Sequence, residues 1–584
     1  MHTSIVRRET VCVDHLPDEL PHIIKQIYAS RGVTCAQELD HQVANLLGVN
    51  GQSAPLKGLE PACKIIFSAL INKSTIVIVG DFDADGATST ALMMSALGMF
   101  GCNHHSFIVP NRFEYGYGLT PEIVDIAAKQ EAQLLITVDN GISCIAGVER
   151  AKSLGLQVIV TDHHLPGEIT PNADAIVNPN QVGCAFSSKA LAGVGVAFYL
   201  MLALRKYCRE RDYFSQQAIV EPNIAQLLDL VALGTVADVV PLDANNRILV
   251  AQGLKRIRAG QTRPGIQALI DIAKRDQTQL VASDFGFALG PRINAAGRLD
   301  DMAYGINCLL APDLATARAM ASDLDDLNKT RREIEQGMQV EAETIFTSLN
   351  FAKENLPSAI ALYHQDWHQG VIGIVAGRLK EKFHRPCIVF ANANDDKQDK
   401  EAEIKGSARS ISGLHIRDLL EHIASQSPGL ILKFGGHAMA AGLSIKAKDF
   451  EKFNQLFNEI AKQWLTQEHL QSILLSDGEL ATDFMTLGFA QQLRNAGPWG
   501  QNFPEPLFDD VFTLVQQRLV GEKHLKLVVQ KAEQVFDAIA FNVDVKAWPN
   551  AYAEKVQLAY QLDINEFRGK RSVQLMVKHI ALVS

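Results

Sequence analysis

The hydrophobic and polar positions of this chain fall into three successive regimes. From residue 74 onward, short apolar runs rich in Val and Ile alternate with longer stretches whose apolar positions recur every three or four residues. Short apolar runs bounded by Gly or polar residues read as buried strands, and the longer stretches as helices. The pattern predicts strands over 75–79, 106–109, 134–138, 157–160 and 175–177, separated by helices over 87–99, 120–129 and 142–154. Thr120-Pro121 is a clear helix start, a capping hydroxyl followed by Pro at the first helical position. Such alternation implies βαβ units and a parallel sheet covered on both faces. The residues before this region show weaker helical patterning and are expected to pack on the first domain as a lead-in.

A second regime begins near residue 311. Met320, Leu324, Leu327, Ile334, Met338 and Ile345 lie on one helical stripe, which predicts a single helix over 311–349. At ~1.5 Å per residue it spans on the order of 50–60 Å. Arg331 interrupts the stripe, which favours a connector between domains over a coiled-coil dimer. Beyond it, strands over 359–363 and 387–390 and a Gly-opened helix over 367–379 make a second α/β unit. Two segments, 405–410 and 434–442, read as Gly-rich turns beside Ser407, Arg409 and His437, suited to an anion. The third regime is a set of closely spaced short strands over 511–515, 525–529, 536–541, 557–562 and 573–577. Five such strands suggest a small barrel of the OB type, with local positive charge from Lys526, Lys570 and Arg571. The expected division is 1–54, 55–310, 311–352, 353–465 and 466–584.

Polar chemistry sits at the strand ends of the first sheet. The first strand ends in Asp81, Asp83 and Asp85, and the second in Pro110-Asn111-Arg112. The third ends in Asp139-Asn140-Gly141, the fourth in Asp162-His163-His164, the fifth in Asn178-Pro179-Asn180. In open α/β sheets ligands bind beyond the carboxyl ends of the strands, so these segments converge on one crevice. Carboxylates packed this closely repel unless a cation sits among them, and oxygen ligands suit a hard divalent metal. An EF-hand loop would need a Glu at its twelfth position, where Leu92 stands. A phosphatase of the Asp-x-Asp type differs two residues after the second Asp, where Asp85 stands. The plain alternative is a solvated polar turn. Asp238, after an apolar helix end, is a further candidate ligand, with helix capping as its alternative. Arg292 and Arg298 lie in a small-residue segment read as a loop that lets backbone approach a phosphate.

Composition narrows the class. The 584 residues are too many for one core and carry 47% hydrophobic and 21% charged residues, an ordinary globular balance. A net charge of −10 argues against a non-specific coat on duplex DNA, though not against a nucleic-acid enzyme with a local basic channel. Nine cysteines without a C-x-x-C pair point to a reducing compartment. The N-terminus lacks a signal-peptide layout, and the longest apolar run, 191–204, is too short to span a bilayer. A soluble cytoplasmic protein is expected.

Asp-Phe-Asp-Ala-Asp-Gly at 81–86, Asp-Asn-Gly at 139–141, Asp-His-His at 162–164 and Gly-Thr-Val-Ala-Asp at 234–238, in this order, resemble the DHH phosphoesterase family. The second α/β unit, with Gly435-Gly436-His437, resembles the domain that accompanies it, and the long helix and barrel are similar to those of the family's single-strand-DNA exonucleases. The resemblance implies a parallel-sheet DHH domain, a connecting helix, a second α/β domain for substrate, and a C-terminal OB-like barrel. It implies hydrolysis of single-stranded DNA from the 5′ end to mononucleotides with Mn²⁺ or Mg²⁺, in repair and recombination. Asp81, Asp83, Asp85, Asp139, His163 and Asp238 match the metal positions, with Asp139 a candidate bridge between two metals. Asp162 orients the histidines, and His164 stabilises charge on phosphorus or protonates the leaving oxygen. Phosphate contacts map onto Arg112, onto Arg292 or Arg298, and onto Ser407, Arg409, Gly435, Gly436 and His437. Partners implied are single-stranded DNA, a single-strand-binding protein and a RecQ-type helicase, with no membrane. A smaller DHH phosphodiesterase for short oligonucleotides or nucleotides, and a non-catalytic scaffold, are the rival readings.

Overall fold

The computed structural model describes residues 3–48, 53–111, 117–348, 356–393 and 401–583. The chain opens with a short strand, β1 (Thr3–Arg7), and then builds the first sheet from β2 (Ile76–Val79), β3 (His105–Ile108), β4 (Leu134–Val138), β5 (Gln157–Thr161) and β6 (Ala175–Val177). Its order is β3-β2-β4-β5-β6, with every pair parallel. The order reverses between β2 and β4, the switch point at which such sheets open a crevice. Alternation along the strands sorts side chains to two cores. Ile76, Ile78, Ile136 and Ile159 join the larger core under the helices Ala84–Met99 and Gly193–Arg209, while Val77, Val79, Leu135 and Val158 face the smaller one. Both faces are apolar, which is why these strands read as continuous hydrophobic runs.

The segment 290–298, expected as a loop, is helical. A π-helical turn, Phe285–Leu289, leads into the helix Gly290–Leu299, with Pro291 in its first turn. The small residues serve close packing: a Cβ on Gly297 would lie 2.0 Å from the carbonyl oxygen of Phe82. Asn294 Oδ1 accepts the backbone N–H of Ala84 at 2.8 Å. This helix is therefore pinned against the Asp81–Asp85 loop.

The connecting helix runs from Leu314 to Ser348. Ala317, Ala321 and Leu324 belong to the first core, whereas Met338, Ala342 and Phe346 belong to a core of the second α/β unit. Between them lies a charged waist. Arg331, the break in the stripe, is buried against Glu335 and Asn328, and Glu335 also takes Arg378 Nε at 3.1 Å.

The second unit is a five-stranded sheet of β7 (Ile360–Tyr363), β8 (Cys387–Asn392), β9 (Glu403–Arg409), β10 (Lys433–Gly436) and β11 (Ala440–Lys446), in the order β10-β11-β9-β8-β7. Only β7 and β8 pair in parallel. The expected turn over 405–410 is thus a strand. Gly406 misleads from sequence alone: it faces inward, where a Cβ would lie 2.5 Å from the Phe390 ring. Residues 434–442 span the hairpin that joins β10 to β11.

After β12 (Ser472–Ser476) comes a closed barrel of β13 (Phe508–Val520), β14 (His524–Lys531), β15 (Gln534–Ala540), β16 (Lys555–Phe567) and β17 (Lys570–Leu582). Its core is continuous with that of the first sheet through Leu480, Trp499 and Phe503. The lead-in does more than pack on the first domain. β1 pairs in parallel with β12, Arg31 holds Asp477 at 2.8 Å, and Tyr28 stacks on Trp499 at 6.2 Å. The N-terminus thereby fastens the segment that leads into the barrel to the first domain. Among the described residues no helix is long and apolar enough to cross a membrane.

Candidate metal centre

Beyond β2 the chain turns through Asp81 and Asp83 into the helix Ala84–Met99. Asp83 caps this helix, accepting the backbone N–H groups of Asp85 at 2.9 Å and Gly86 at 3.0 Å. Asp85 points into the interior, where its oxygens accept the N–H of Gly193 at 2.6 Å and of Val194 at 2.9 Å. These donors open the helix Gly193–Arg209, whose N-terminal dipole favours a carboxylate.

β4 delivers Asp139 with φ +61°, a left-handed conformation that Asp and Asn tolerate better than other side chains. Asn140 ties the two strand ends together, donating to the carbonyls of Val79 at 3.0 Å and Val138 at 2.9 Å. β5 delivers the histidines. Asp162 is buried and accepts the backbone N–H of Ile142 at 2.9 Å, of His163 at 2.7 Å and of His164 at 3.0 Å. It also holds His164 Nδ1 at 2.7 Å, which fixes that ring. Beyond β6, Asn178 and Asn180 donate to the carbonyls of His164 and His163 at 2.9 and 2.6 Å. Asp238 stands at the end of the helix Leu228–Ala237.

Three overlapping groups bring ligand atoms within 4.8 Å of one another: Asp85, His163 and Asp238; Asp81, Asp83 and Asp139; and Asp139, His163 and His164. Asp139 and His163 are common to two groups each. Their contacts reveal what the site lacks. His163 Nε2 lies 3.1 Å from Asp139 Oδ1 and 3.5 Å from Asp238 Oδ2, yet none of these buried atoms makes a hydrogen bond. Burial and the neighbouring His164 pull His163 down to about 4, so the ring is neutral and the contacts are not ion pairs. Burial and mutual repulsion, Asp83 on Asp85 first, push Asp85 up to about 7. Burial and the charge on Asp85 raise Asp139 and Asp238 well above the usual carboxylate range. Unsatisfied buried acceptors and repelling carboxylates are unfavourable. A divalent cation bound by these oxygen and imidazole donors relieves both penalties, so the residues fit a metal such as Mn²⁺ or Mg²⁺.

His164 has the opposite character. Against burial, which lowers it, the hydrogen bond to Asp162 raises its pKa to about 9. It carries a proton at neutral pH beside the carboxylate cluster. Tyr117, which carries no motif signal in the sequence, completes the wall. Its hydroxyl donates to the Asp139 carbonyl at 3.1 Å, and its ring meets Phe82 and His164 edge-on at 5.7 and 6.0 Å.

Across the cleft the second unit contributes the β10–β11 hairpin. Gly436 turns it with φ +142°, and the His437 ring stacks on His164 at 6.1 Å with a 15° interplanar angle. Behind this contact lies a cavity of about 440 Å³ lined by Arg298, Ser407, Arg409 and Gly435 among others. Arg409 donates to Ser407 Oγ at 3.2 Å and to the Ala408 carbonyl at 2.8 Å, and no carboxylate pairs with it among the described residues. Burial alone depresses its pKa. Arg298 reaches the Gly370 carbonyl at 3.1 Å and faces the same cavity. Arg292 is not brought there: it donates to Asp325 of the connecting helix at 2.9 Å and to the Ala288 carbonyl at 2.6 Å. Of the two arginines left open by the sequence, geometry sends Arg298 to the cavity and Arg292 to a buried ion pair. Arg112 lies outside the described residues.

Gly193 gives a test of the arrangement. A Cβ there would sit 2.6 Å from Asp139 Cβ and 2.7 Å from its Oδ1. Gly193→Ala is expected to displace Asp139 and weaken Mn²⁺ binding by at least about tenfold, the scale of supporting-residue effects at metal sites. Calorimetric titration would read it, with Gly377→Ala, where a Cβ meets nothing within 4 Å, as the control. Unchanged affinity would mean that the helix yields and Asp139 does not.

Comparison with known proteins bears on the whole chain. Residues 75–235 match the DHH family N-terminal domain, 356–463 the DHHA1 domain and 476–579 the RecJ OB domain. The chain is 56% identical to the single-stranded-DNA-specific exonuclease RecJ of Escherichia coli (strain K12) over 98% of both chains. It is 33% identical to that of Bacillus subtilis (strain 168), over 90% of this chain and 64% of the relative. The crystal structure of RecJ in complex with Mn²⁺ from Thermus thermophilus matches with a TM-score of 0.78 and 27% identity, covering 97% of this chain and 76% of that one. The carboxylate–histidine crevice at the sheet's switch point, the hairpin that faces it and the fused barrel are thus those of one lineage, and the chain belongs to the RecJ family of single-stranded-DNA-specific exonucleases.

Proposed function

We propose that this protein is a metal-dependent exonuclease of single-stranded DNA that works from the 5′ end and releases 5′-mononucleotides, in DNA repair and recombination. One observation carries the reading: buried, unbonded Asp139, His163 and Asp238 atoms face one another across the cleft from an arginine pocket that lacks a carboxylate among the described residues. Asp81, Asp83, Asp85, Asp139, His163 and Asp238 would hold Mn²⁺ or Mg²⁺, the ions of the two Thermus thermophilus RecJ complexes. Bound there, the metal supplies an activated water and charge neutralisation at the phosphodiester. The chain's own groups do the rest. Asp162 fixes the His164 ring through Nδ1, leaving Nε2 to donate to a phosphate oxygen or to the departing 3′-oxygen. His437, stacked on that ring, shields it from water. Arg409, Ser407 and Arg298 hold the terminal 5′-phosphate, which sets the scissile bond one nucleotide away. The barrel, sharing a core with the catalytic domain, keeps the following strand in line, a part that a phosphodiesterase for short oligonucleotides does not need.

A cytoplasmic site of action, and partnership with a single-strand-binding protein and a RecQ-type helicase, belong to the same proposal. They rest on the family, and nine free thiols suit a reducing compartment. Long single strands labelled at the 5′ or the 3′ end, incubated with Mn²⁺, test the polarity: early release of 3′ label would overturn it. Arg409→Ala is expected to lower kcat/KM on 5′-phosphorylated strands by roughly ten- to a hundredfold, the worth of one charge-assisted contact. The advantage over 5′-hydroxyl strands should narrow at fixed salt. An unchanged advantage would place end recognition elsewhere.

A further inference from the structure

The arginine pocket continues past the point where a single terminal phosphate ends. β9, β11 and β10 pair in register, with Ala440 opposite Arg409, Gly442 opposite Ser407 and Gly435, and Ser444 opposite Lys405 and Lys433. Alternate residues share a face, so Arg409, Ser407 and Lys405 line one side of the trough in three successive rungs. The middle rung has a bare floor: a Cβ on Gly435 would meet nothing within 4 Å, and one on Gly442 only the Gly406 carbonyl at 4.0 Å. The first rung adjoins the hairpin turn whose His437 stacks on His164, so the series leads away from the metal centre. Its far rung presents two lysines on β9 and β10, the strands that flank β11; both line the cavity, and neither makes an ion pair among the described residues. No Asp or Glu among the described residues lines the cavity.

These cations exceed what one terminal phosphate needs. A phosphate monoester carries about −1.5 to −2 charges, which Arg409 and Arg298 already answer. From the middle rung, where Arg409 reaches Ser407 Oγ, the lysine rung lies ~7 Å further along the strands, two residues at ~3.4 Å each. That is the reach of two more phosphoryl groups joined by anhydride bonds. A backbone phosphate of a second nucleotide would also span this distance, but it brings one charge to two lysines, and a β,γ-diphosphate brings more.

We propose that Lys405 and Lys433 form a subsite for the β- and γ-phosphates of a 5′-triphosphorylated strand, so that the enzyme accepts triphosphate ends as well as monophosphate ends. The inference rests on the 5′-end reading above. In the reaction, water adds to the first internucleotide phosphorus and the P–O3′ bond breaks. The released nucleoside 5′-triphosphate takes the proton on its 3′-oxygen, and the shortened strand keeps the phosphate as its new 5′ end.

The test compares one DNA sequence bearing 5′-hydroxyl, 5′-monophosphate or 5′-triphosphate, with wild type and a Lys405→Ala/Lys433→Ala variant, at one salt concentration in Mn²⁺. The readouts are kcat/KM and the chromatographic identity of the first product. Wild type is expected to release the nucleoside triphosphate, with kcat/KM at least tenfold above the 5′-hydroxyl strand. In the variant the ratio of triphosphate to monophosphate kcat/KM should fall at least tenfold. A ratio that does not move, a triphosphate strand no better than the hydroxyl strand, or a dinucleotide first product would each overturn the subsite. Failure of the underlying reading looks different: the monophosphate then gives no advantage over the hydroxyl in wild type. Lys405→Arg/Lys433→Arg, which keeps both charges, should retain the ratio, and its loss there would point to misfolding instead of lost charge.

Discussion

Asp139→Asn is expected to lower turnover on the order of a thousandfold or more, because metal-ion catalysis is worth several kcal/mol and each ~1.4 kcal/mol is tenfold. Asp139 is the carboxylate that belongs to two of the three ligand groups, and its Oδ1 faces His163 Nε2 at 3.1 Å. Asn has nearly the same shape, tolerates the φ of +61° and can still accept the Tyr117 hydroxyl at its backbone carbonyl. The fold and the strand-binding surfaces should therefore survive, and a binding isotherm for single-stranded DNA should match wild type. Removing one charge from a cluster of repelling carboxylates should also leave the metal-free variant at least as thermally stable as wild type at pH 8. Single-turnover kinetics in saturating Mn²⁺ decide the matter: a rate near wild type would rule out Asp139 as a ligand shared between metals.

Metal-free protein is expected to lose stability as pH rises from about 6.5 to 9, and Mn²⁺ to restore it more at the alkaline end. His164 titrates near 9 in the folded state because Asp162 holds its proton, against about 6.5 when unfolded. A raised folded pKa gives stability that is complete below the unfolded value and lost as pH climbs through the folded one. Its share is on the order of 2–3 kcal/mol after allowing for solvent screening of a partly exposed ring. Asp85, raised to about 7, and Asp139 and Asp238, raised well above the carboxylate range, act in the same direction, since the folded state binds protons that the unfolded chain has released. His163, depressed to about 4, works the other way, but only between about 4 and 6.5, below this window. Melting curves at the two pH values, with chelator and with Mn²⁺, measure the effect. A metal-free melting temperature that stays level or rises toward pH 9 would mean that the carboxylates do not crowd one another as the geometry requires.

Much of this protein is legible in its amino-acid order. The central strands of the first sheet, β2 and β4, are visible because each is buried on both faces and so is almost wholly apolar, while the half-buried edge strand β3 carries His105 and Ser106. Asp81, Asp83, Asp85, Asp139, Asp162, His163 and His164 are visible because parallel strands deliver their C-terminal residues to one edge. The barrel follows from the spacing of short strands between turn residues. Local pattern suffices wherever a segment's neighbours are set by its own repeat.

Tertiary structure alone decided what depends on which distant segment lies alongside. Arg292 and Arg298 look equivalent in sequence, six residues apart on what proves to be a helix, yet one meets Asp325 and the other a cavity. Gly406 suggested a turn because its lack of a side chain answers to Phe390, a partner from the neighbouring strand. The stacking of His437 on His164, the pairing of β1 with β12 and the lysine rung at Lys405 and Lys433 all join residues that are far apart in the chain or on different strands. No local propensity encodes such pairings. They arise because apolar faces must be buried together, and the polar groups carried on those faces then meet whatever the packing places opposite.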